Sequence, residues 1–282
     1  MIIFKTIALL RQYLEKQKST GKSVGFVPTM GALHEGHLSL VRLGKATNEV
    51  MVVSIFVNPT QFNDPKDFEK YPVTIDQDCL LLEKVEADIL FLPSVSEMYP
   101  NGPKPSKHYD LGKLETLLEG AFRPGHFQGV CQVVERLLEI VRPDELLIGQ
   151  KDFQQCMVLK KLVSIMGIPT KVSISPTLRE ADGLAMSSRN MRLHPDERQV
   201  ASQIFRELSN IKENITTVSI SAAKELATKN LLAAGFKKVD YVEIAAVNTL
   251  EPLAAFDPAI KTVALIAAFM GDVRLIDNIL LN

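Results

Sequence analysis

Two hydrophobic rhythms alternate along the first 175 residues. Ile7, Leu10 and Leu14 recur at helical spacing and predict a helix over 6–18. Val24-Gly25-Phe26-Val27 predicts a short buried strand that Pro28 should end. Leu38, Val41 and Leu43 resume the helical period over 37–46. The β-branched run from Val50 to Val57 predicts the strongest strand in the chain. The same alternation predicts helices over 75–86, 129–141 and 153–166, with strands over 89–92, 146–148 and 169–175. A Pro/Gly-rich excursion interrupts it at 93–105. Such alternation predicts an α/β domain over residues 1–175, a doubly wound parallel sheet covered on both faces.

The pattern changes after Ser175. A polar loop over 177–195 leads to helical patterns over 196–211 and 218–234. Three strand candidates follow, at 238–246, 261–270 and 273–280. Helices followed by strands predict a smaller α+β domain over 176–282.

Composition narrows the classes. Of the 282 residues, 46% are hydrophobic and 23% charged, which suits a folded globular chain and excludes a disordered one. Lys+Arg is 32 against Asp+Glu 33, a net charge of −1, so no basic excess points to a nucleic-acid partner. No uninterrupted apolar window is long enough to span a membrane, and Met1–Lys5 lacks a signal-peptide layout; a cytoplasmic location is expected. Cys79, Cys131 and Cys156 are far apart and form no CxxC, so they read as small buried hydrophobes in a reducing compartment.

Familiar nucleotide motifs are missing. Gly21-Lys22-Ser23 resembles the end of a phosphate-binding P-loop, but Lys16 stands where that loop needs glycine, and there is no G-x-G-x-x-G. Instead, Pro28-Thr29-Met30-Gly31-Ala32-Leu33-His34-Glu35-Gly36-His37 lies between the first strand and its helix. Ligands of open α/β sheets bind at that end of a strand, and a helix N-terminus favours phosphate. His34 and His37 are spaced to share one side of the first turn and donate to phosphate oxygens. Two surface histidines beside a tight turn are the alternative; zinc is a weaker one, since the H-E-x-x-H spacing is absent. Gly183-Leu184-Ala185-Met186-Ser187-Ser188-Arg189-Asn190 offers hydroxyls and a guanidinium suited to clamping phosphate, unless it is simply a solvated loop. Gly149-Gln150-Lys151-Asp152-Phe153-Gln154-Gln155 opens a helix after the strand at 146–148 and puts Lys151 and Gln155 four apart on one helix face.

The early His-x-Gly-His and the late Met-Ser-Ser-Arg together resemble the signature pair of the class I adenylyl-transferring fold. Three further stretches join them: Val57-Asn58-Pro59-Thr60-Gln61-Phe62, Glu119 to Val130, and Gly149 to Gln155. In order, spacing and total length, this series resembles the pantothenate synthetase (pantoate–β-alanine ligase) family over essentially the whole chain. Gln150 departs from it, since many members carry Glu there.

The resemblance implies a Rossmann-like domain with a smaller C-terminal domain acting as lid, usually in a homodimer associating through the N-terminal domain. It implies ATP, Mg²⁺, (R)-pantoate and β-alanine as reactants and partners, with no nucleic acid and no membrane. By motif match the ATP site comprises Met30, Gly31, Ala32, Leu33, His34, Glu35, Gly36, His37, Gly149, Gln150, Lys151, Asp152, Leu178, Met186, Ser187, Ser188 and Arg189. Gln61 and Gln155 correspond to pantoate-binding positions, Asn58 joins them as a neutral hydrogen bonder, and Gln61 borders the β-alanine path. The catalytic set is His34, His37, Lys151, Ser187, Ser188 and Arg189, with His37 matching a proton donor. Magnesium ligands are not assigned; Asp76, Asp78 and Asp152 are the carboxylates to inspect.

Two rival adenylating classes fit less well. An aminoacyl-tRNA synthetase would need an anticodon-reading module and usually a basic surface, and residues 176–282 leave little room for one. A nucleotidylyltransferase shares the phosphate motifs but does not explain Gln61 and Gln155.

Overall fold

A computed structural model describes residues 1–61, 69, 71–102 and 107–282. Phe62 and residues 103–105 of the Pro/Gly-rich excursion lie outside the described residues. The chain forms two compact units. The first contains Met1–Glu115, Arg123–Gly149 and Gln155–Ser175; the second contains Thr116–Phe122, Gln150–Gln154 and Pro176–Asn282.

The first unit is a six-stranded sheet of β1 (Ile2–Phe4), β2 (Val24–Thr29), β3 (Val50–Ile55), β4 (Ile89–Phe91), β5 (Glu145–Gly149) and β6 (Lys171–Ser175). The strands lie in the order β1-β4-β3-β2-β5-β6, all parallel. The intervening helices are α1 (Ile7–Ser19), α2 (Glu35–Lys45), α3 (Ile75–Lys84), the short α4 (Val95–Met98), α6 (His126–Val141) and α7 (Phe153–Met166). The doubly wound parallel expectation is met. Alternation along β2 and β3 turns Val27, Met51, Val53 and Ile55 to one face, where Leu38, Leu40 and Val41 of α2 and Leu82 of α3 cover them. The strand order reverses between β2 and β5, which makes the carboxyl ends of these two strands the topological switch point.

Two local expectations change and one strand is unexpected. Strand β2 runs through Pro28 to Thr29. Proline is tolerated because β5 pairs with β2 only at Gly25 and Phe26, so no neighbour on that side requires an N–H at position 28. Strand β1, at the sheet edge, has no counterpart in the hydrophobic pattern, since three residues carry too little periodicity to announce it. Helix α6 begins at His126 rather than 129, after Gly125 in a left-handed conformation.

In the second unit, β7 (Lys238–Ala246), β8 (Thr262–Met270) and β9 (Val273–Leu280) form an antiparallel meander. Helices α9 (Gln203–Asn214) and α10 (Ile220–Ala233) cover it through Ile204, Leu208, Ile211, Ala227 and Leu231. The single helix expected over 196–211 is two, α8 (Pro195–Ala201) and α9, separated at Ser202. The one-turn α5 (Glu119–Phe122) also belongs here; Arg274 holds the Glu119 carboxylate at 2.7 and 2.8 Å, and the Tyr241 hydroxyl donates to it at 2.7 Å. Among the described residues no helix is long and apolar enough to cross a membrane.

Glu145, buried at the amino end of β5, gives the first unit a defined acid sensitivity. Burial pushes its pKa up, but hydrogen bonds from Lys171, Ser173, Thr47 and Asn48 outweigh this and bring it from 4.5 down to about 2. A carboxylate lowered on folding stabilises above its unfolded pKa, and the contribution disappears as pH falls through the folded value. Glu145→Gln is therefore expected to cost about 1–2 kcal/mol at pH 7 and nearly nothing at pH 2, read by denaturant unfolding. Equal losses at both pH values would contradict this. Kinetic constants should not change, since the strand ends that carry the motifs are the opposite ones.

Candidate active site

The loop after β2 is bent by two left-handed residues, Gly31 (φ 85°) and Ala32 (φ 49°). A Cβ at Gly31 would crowd Asp78 and Ile55 at 3.1 Å each, so glycine answers both the conformation and the space. Asp78, 1% exposed, clamps the bend: its two carboxylate oxygens accept from the Ala32 N–H at 3.0 Å and the Leu33 N–H at 2.8 Å. Thr74 donates to the same carboxylate at 3.1 Å.

This bend delivers His34 to the N-cap of α2. Nδ1 of His34 accepts from the Gly36 N–H at 3.2 Å, and Nδ1 of His37 accepts from the His34 N–H at 3.4 Å. The rings are 4.1 Å apart, centroid to centroid. In a neutral imidazole, an accepting Nδ1 leaves the proton on Nε2. The capping pattern thus makes both histidines Nε2–H donors at the positive end of the helix dipole. Glu35 points elsewhere; its exposed carboxylate pairs with Arg42 at 2.8 Å.

The 3₁₀ turn Pro59–Gln61 follows β3. Gln61 Nε2 lies 2.7 Å from the Met30 sulfur, joining this turn to the histidine loop. Asn58, 1% exposed, spends its amide on Thr60 at 2.9 Å, Gln61 at 3.4 Å and the Gly129 carbonyl at 3.3 Å. Its carbonyl oxygen accepts from the Tyr99 hydroxyl at 3.0 Å. Burial pushes the Tyr99 phenol up and keeps it a donor. Helix α6 approaches so closely that a Cβ at Gly129 would lie 2.3 Å from the Thr60 carbonyl oxygen. His126 donates from Nδ1 to the Gln61 carbonyl at 2.8 Å, and its Nε2 accepts from Arg123 at 3.1 Å. Tyr99, His126 and Gly129 shape this corner, and sequence reasoning singles out none of them. The last two fall within the motif from Glu119 to Val130, while nothing local marks Tyr99. Gln155 is half-buried in the first turn of α7.

In the second unit, Gln150, Lys151 and Asp152 form a 3₁₀ turn. Lys151 lies in this turn, immediately before α7, instead of on the α-helix itself. Lys151 Nζ is 3.6 Å from the half-exposed Asp152 carboxylate. The polar loop is a hairpin: Met186 N donates to Leu178 O at 3.0 Å and Glu180 N to Leu184 O at 2.8 Å. Ser187 caps the turn Ser188–Arg192, its hydroxyl accepting from the Arg189 N–H at 3.3 Å. Arg198 ties Asp182 at 2.5 Å, so the hairpin is anchored within its own unit.

The three carboxylates considered for Mg²⁺ do not form a protein cage. Asp78 is committed to backbone N–H groups, Asp76 is exposed, and Asp152 faces Lys151. Among the described residues no group of three or more His, Cys, Asp or Glu could hold a metal. Burial pushes the Cys131 thiol up to about 12, so it is no nucleophile at neutral pH.

Comparison with known proteins gives this geometry a family. The family model described as pantoate-beta-alanine ligase matches residues 2–280. The chain is 47% identical to the pantothenate synthetase of Cytophaga hutchinsonii over 100% of this chain and 99% of that protein. It is 46% identical to that of Thermotoga petrophila over 100% of both. The crystal structure of pantothenate synthetase from Thermus thermophilus superposes with a TM-score of 0.92 at 40% identity, covering 100% of this chain and 99% of that one. A Francisella tularensis pantoate-beta-alanine ligase, complexed with beta-gamma ATP and beta-alanine, superposes with a TM-score of 0.84 at 36% identity over 100% and 98%. This chain belongs to the pantoate-beta-alanine ligase family.

Proposed function

We propose that the chain joins (R)-pantoate to β-alanine, forming pantothenate through a pantoyl-adenylate intermediate at the expense of ATP. Family membership over the full length, together with a histidine-capped helix at the sheet's switch point, carries this reading. An amide does not form from a carboxylate and an amine in water without activation. In the first step a pantoate carboxylate oxygen attacks the α-phosphorus of ATP, and the bond to the bridging oxygen breaks as pyrophosphate leaves. In the second, the β-alanine amine attacks the acyl carbon, the carbon–oxygen bond breaks, and AMP leaves with its electron pair while the amine sheds a proton.

Positioning and charge stabilisation are the main services such a phosphoryl step needs. The Nε2–H groups of His34 and His37, the Lys151 ammonium, Ser187, Ser188 and Arg189 are assigned to the phosphate oxygens. The backbone of Met30–Gly36, Gly149–Asp152, Leu178 and Met186 lines the nucleotide. Gln61 and Gln155 hold pantoate. Asn58, wholly engaged with Thr60, Gln61, Gly129 and Tyr99, enters as the residue that sets Gln61. Mg²⁺ belongs to the proposal as a companion of the triphosphate, which commonly supplies most of its ligands. A C-terminal unit acting as lid, a homodimer through the N-terminal unit and a cytoplasmic location complete it.

Stoichiometry tests the reaction: incubation with ATP, pantoate and β-alanine should yield pantothenate and AMP one for one. ADP in place of AMP would replace the adenylate with an acyl phosphate and overturn the reading. The pocket assignment has its own test. Removing a carboxamide that binds substrate leaves polar groups unpaired at about 1–3 kcal/mol each. Gln155→Leu or Gln61→Leu should therefore raise the KM for pantoate about tenfold or more while changing ATP affinity less than about threefold. Equal losses for both ligands would remove these residues from the pantoate site.

A further inference from the structure

Strand β9 carries two adjacent buried polar residues, Asp277 (4% exposed) and Asn278 (2% exposed). Polar groups buried in this way need partners, and theirs are specific. The Asn278 amide donates to the Gln150 carbonyl at 3.0 Å and the Lys151 carbonyl at 2.8 Å, and its oxygen accepts from Gln150 Nε2 at 3.1 Å. Its side chain is thus spent on one 3₁₀ turn, the turn that carries Lys151. Asp277 takes both terminal nitrogens of Arg179, at 2.5 and 3.0 Å. Arg179 also donates to the Gly183 carbonyl at 3.1 Å and lies 4.0 Å over the Phe205 ring. Neighbouring residues of one rigid strand therefore grip the Lys151 turn and the 178–186 hairpin. A substrate-positioning cation must be held to within a fraction of an ångström, and a 3₁₀ turn of three residues cannot supply that precision by itself.

We propose that Asn278 is a positioning residue for Lys151, with Asp277 holding the hairpin to the same strand through Arg179. The role rests on the reading that Lys151 acts on the triphosphate. A residue acting only through Lys151 loses its effect once Lys151 is gone, whereas one that merely supports the fold lowers activity by the same factor in either background.

The test is a double-mutant cycle read by pantoate-dependent exchange of labelled pyrophosphate into ATP. Asn278→Ala should lower the exchange kcat about tenfold and leave the KM for pantoate within about twofold. In the Lys151→Ala background the same change should cost several-fold less than in the parent, since only the backbone of the turn is left to misplace. Asn278→Asp preserves shape and the acceptor for Gln150 but turns carboxylate oxygen toward two carbonyls. It should fall at least as far, and it serves if the alanine variant melts early. Near-parental exchange in Asn278→Ala and Asn278→Asp, or equal losses with and without Lys151, would overturn the role. An inactive parent would instead sink the reading of the reaction, and this role with it.

Discussion

Replacing Lys151 with alanine is expected to lower kcat/KM by roughly 10²–10³, the usual cost of one transition-state charge donor, about 2.7–4 kcal/mol. The fold should be nearly unaffected. Its partner Asp152 is half-exposed, and such ion pairs contribute little to stability. The turn itself is held by backbone carbonyls on Asn278, which the substitution leaves in place. His37→Ala should have a comparable effect on turnover, since it removes one of the two Nε2–H donors at the start of α2. Steady-state kinetics with a melting curve on each variant separates chemistry from folding. Near-normal turnover in either would strip that residue of its role.

Asp78→Ala is the second large effect, and it should strike stability and catalysis together. The carboxylate is the acceptor for two N–H groups in a buried bend. Each donor left unsatisfied costs about 1–3 kcal/mol, so a loss of about 2–5 kcal/mol is expected. The bend also sets where His34 and His37 begin α2, and a displacement there should lower kcat by roughly 10². Asn is no substitute, since its NH₂ would face one of the two donors. Magnesium titration distinguishes this role from metal binding. If Asp78→Ala recovered full kcat at high Mg²⁺, the residue would be a metal ligand instead of a clamp.

Much of this is legible in the chain. The β-branched run from Val50 gives β3, and the residues between Pro28 and His37 mark a strand-to-helix turn at the end of a sheet where ligands bind. The features that escape sequence reasoning share a cause: they depend on partners remote in sequence. Asp78 reads as a carboxylate to inspect for magnesium until its 45- and 46-residue reach to Leu33 and Ala32 is seen. Asn278 is one of three polar residues in β9, and its partners Gln150 and Lys151 lie 128 and 127 residues earlier. Pro28 reads as a strand terminus because local propensity does not reveal that β5 leaves β2 after Phe26. The amide of Asn58, chemically apt for a hydroxy acid, is consumed by its own neighbourhood instead.

The central claim is that pantoate is activated by ATP before β-alanine takes part. The most direct measurement is exchange of labelled pyrophosphate into ATP by the intact protein with ATP, Mg²⁺ and (R)-pantoate, in the absence of β-alanine. Exchange that requires pantoate and proceeds without the amine is the expected result. Exchange that appears only when β-alanine is added, or that an amino acid supports in place of pantoate, would contradict it.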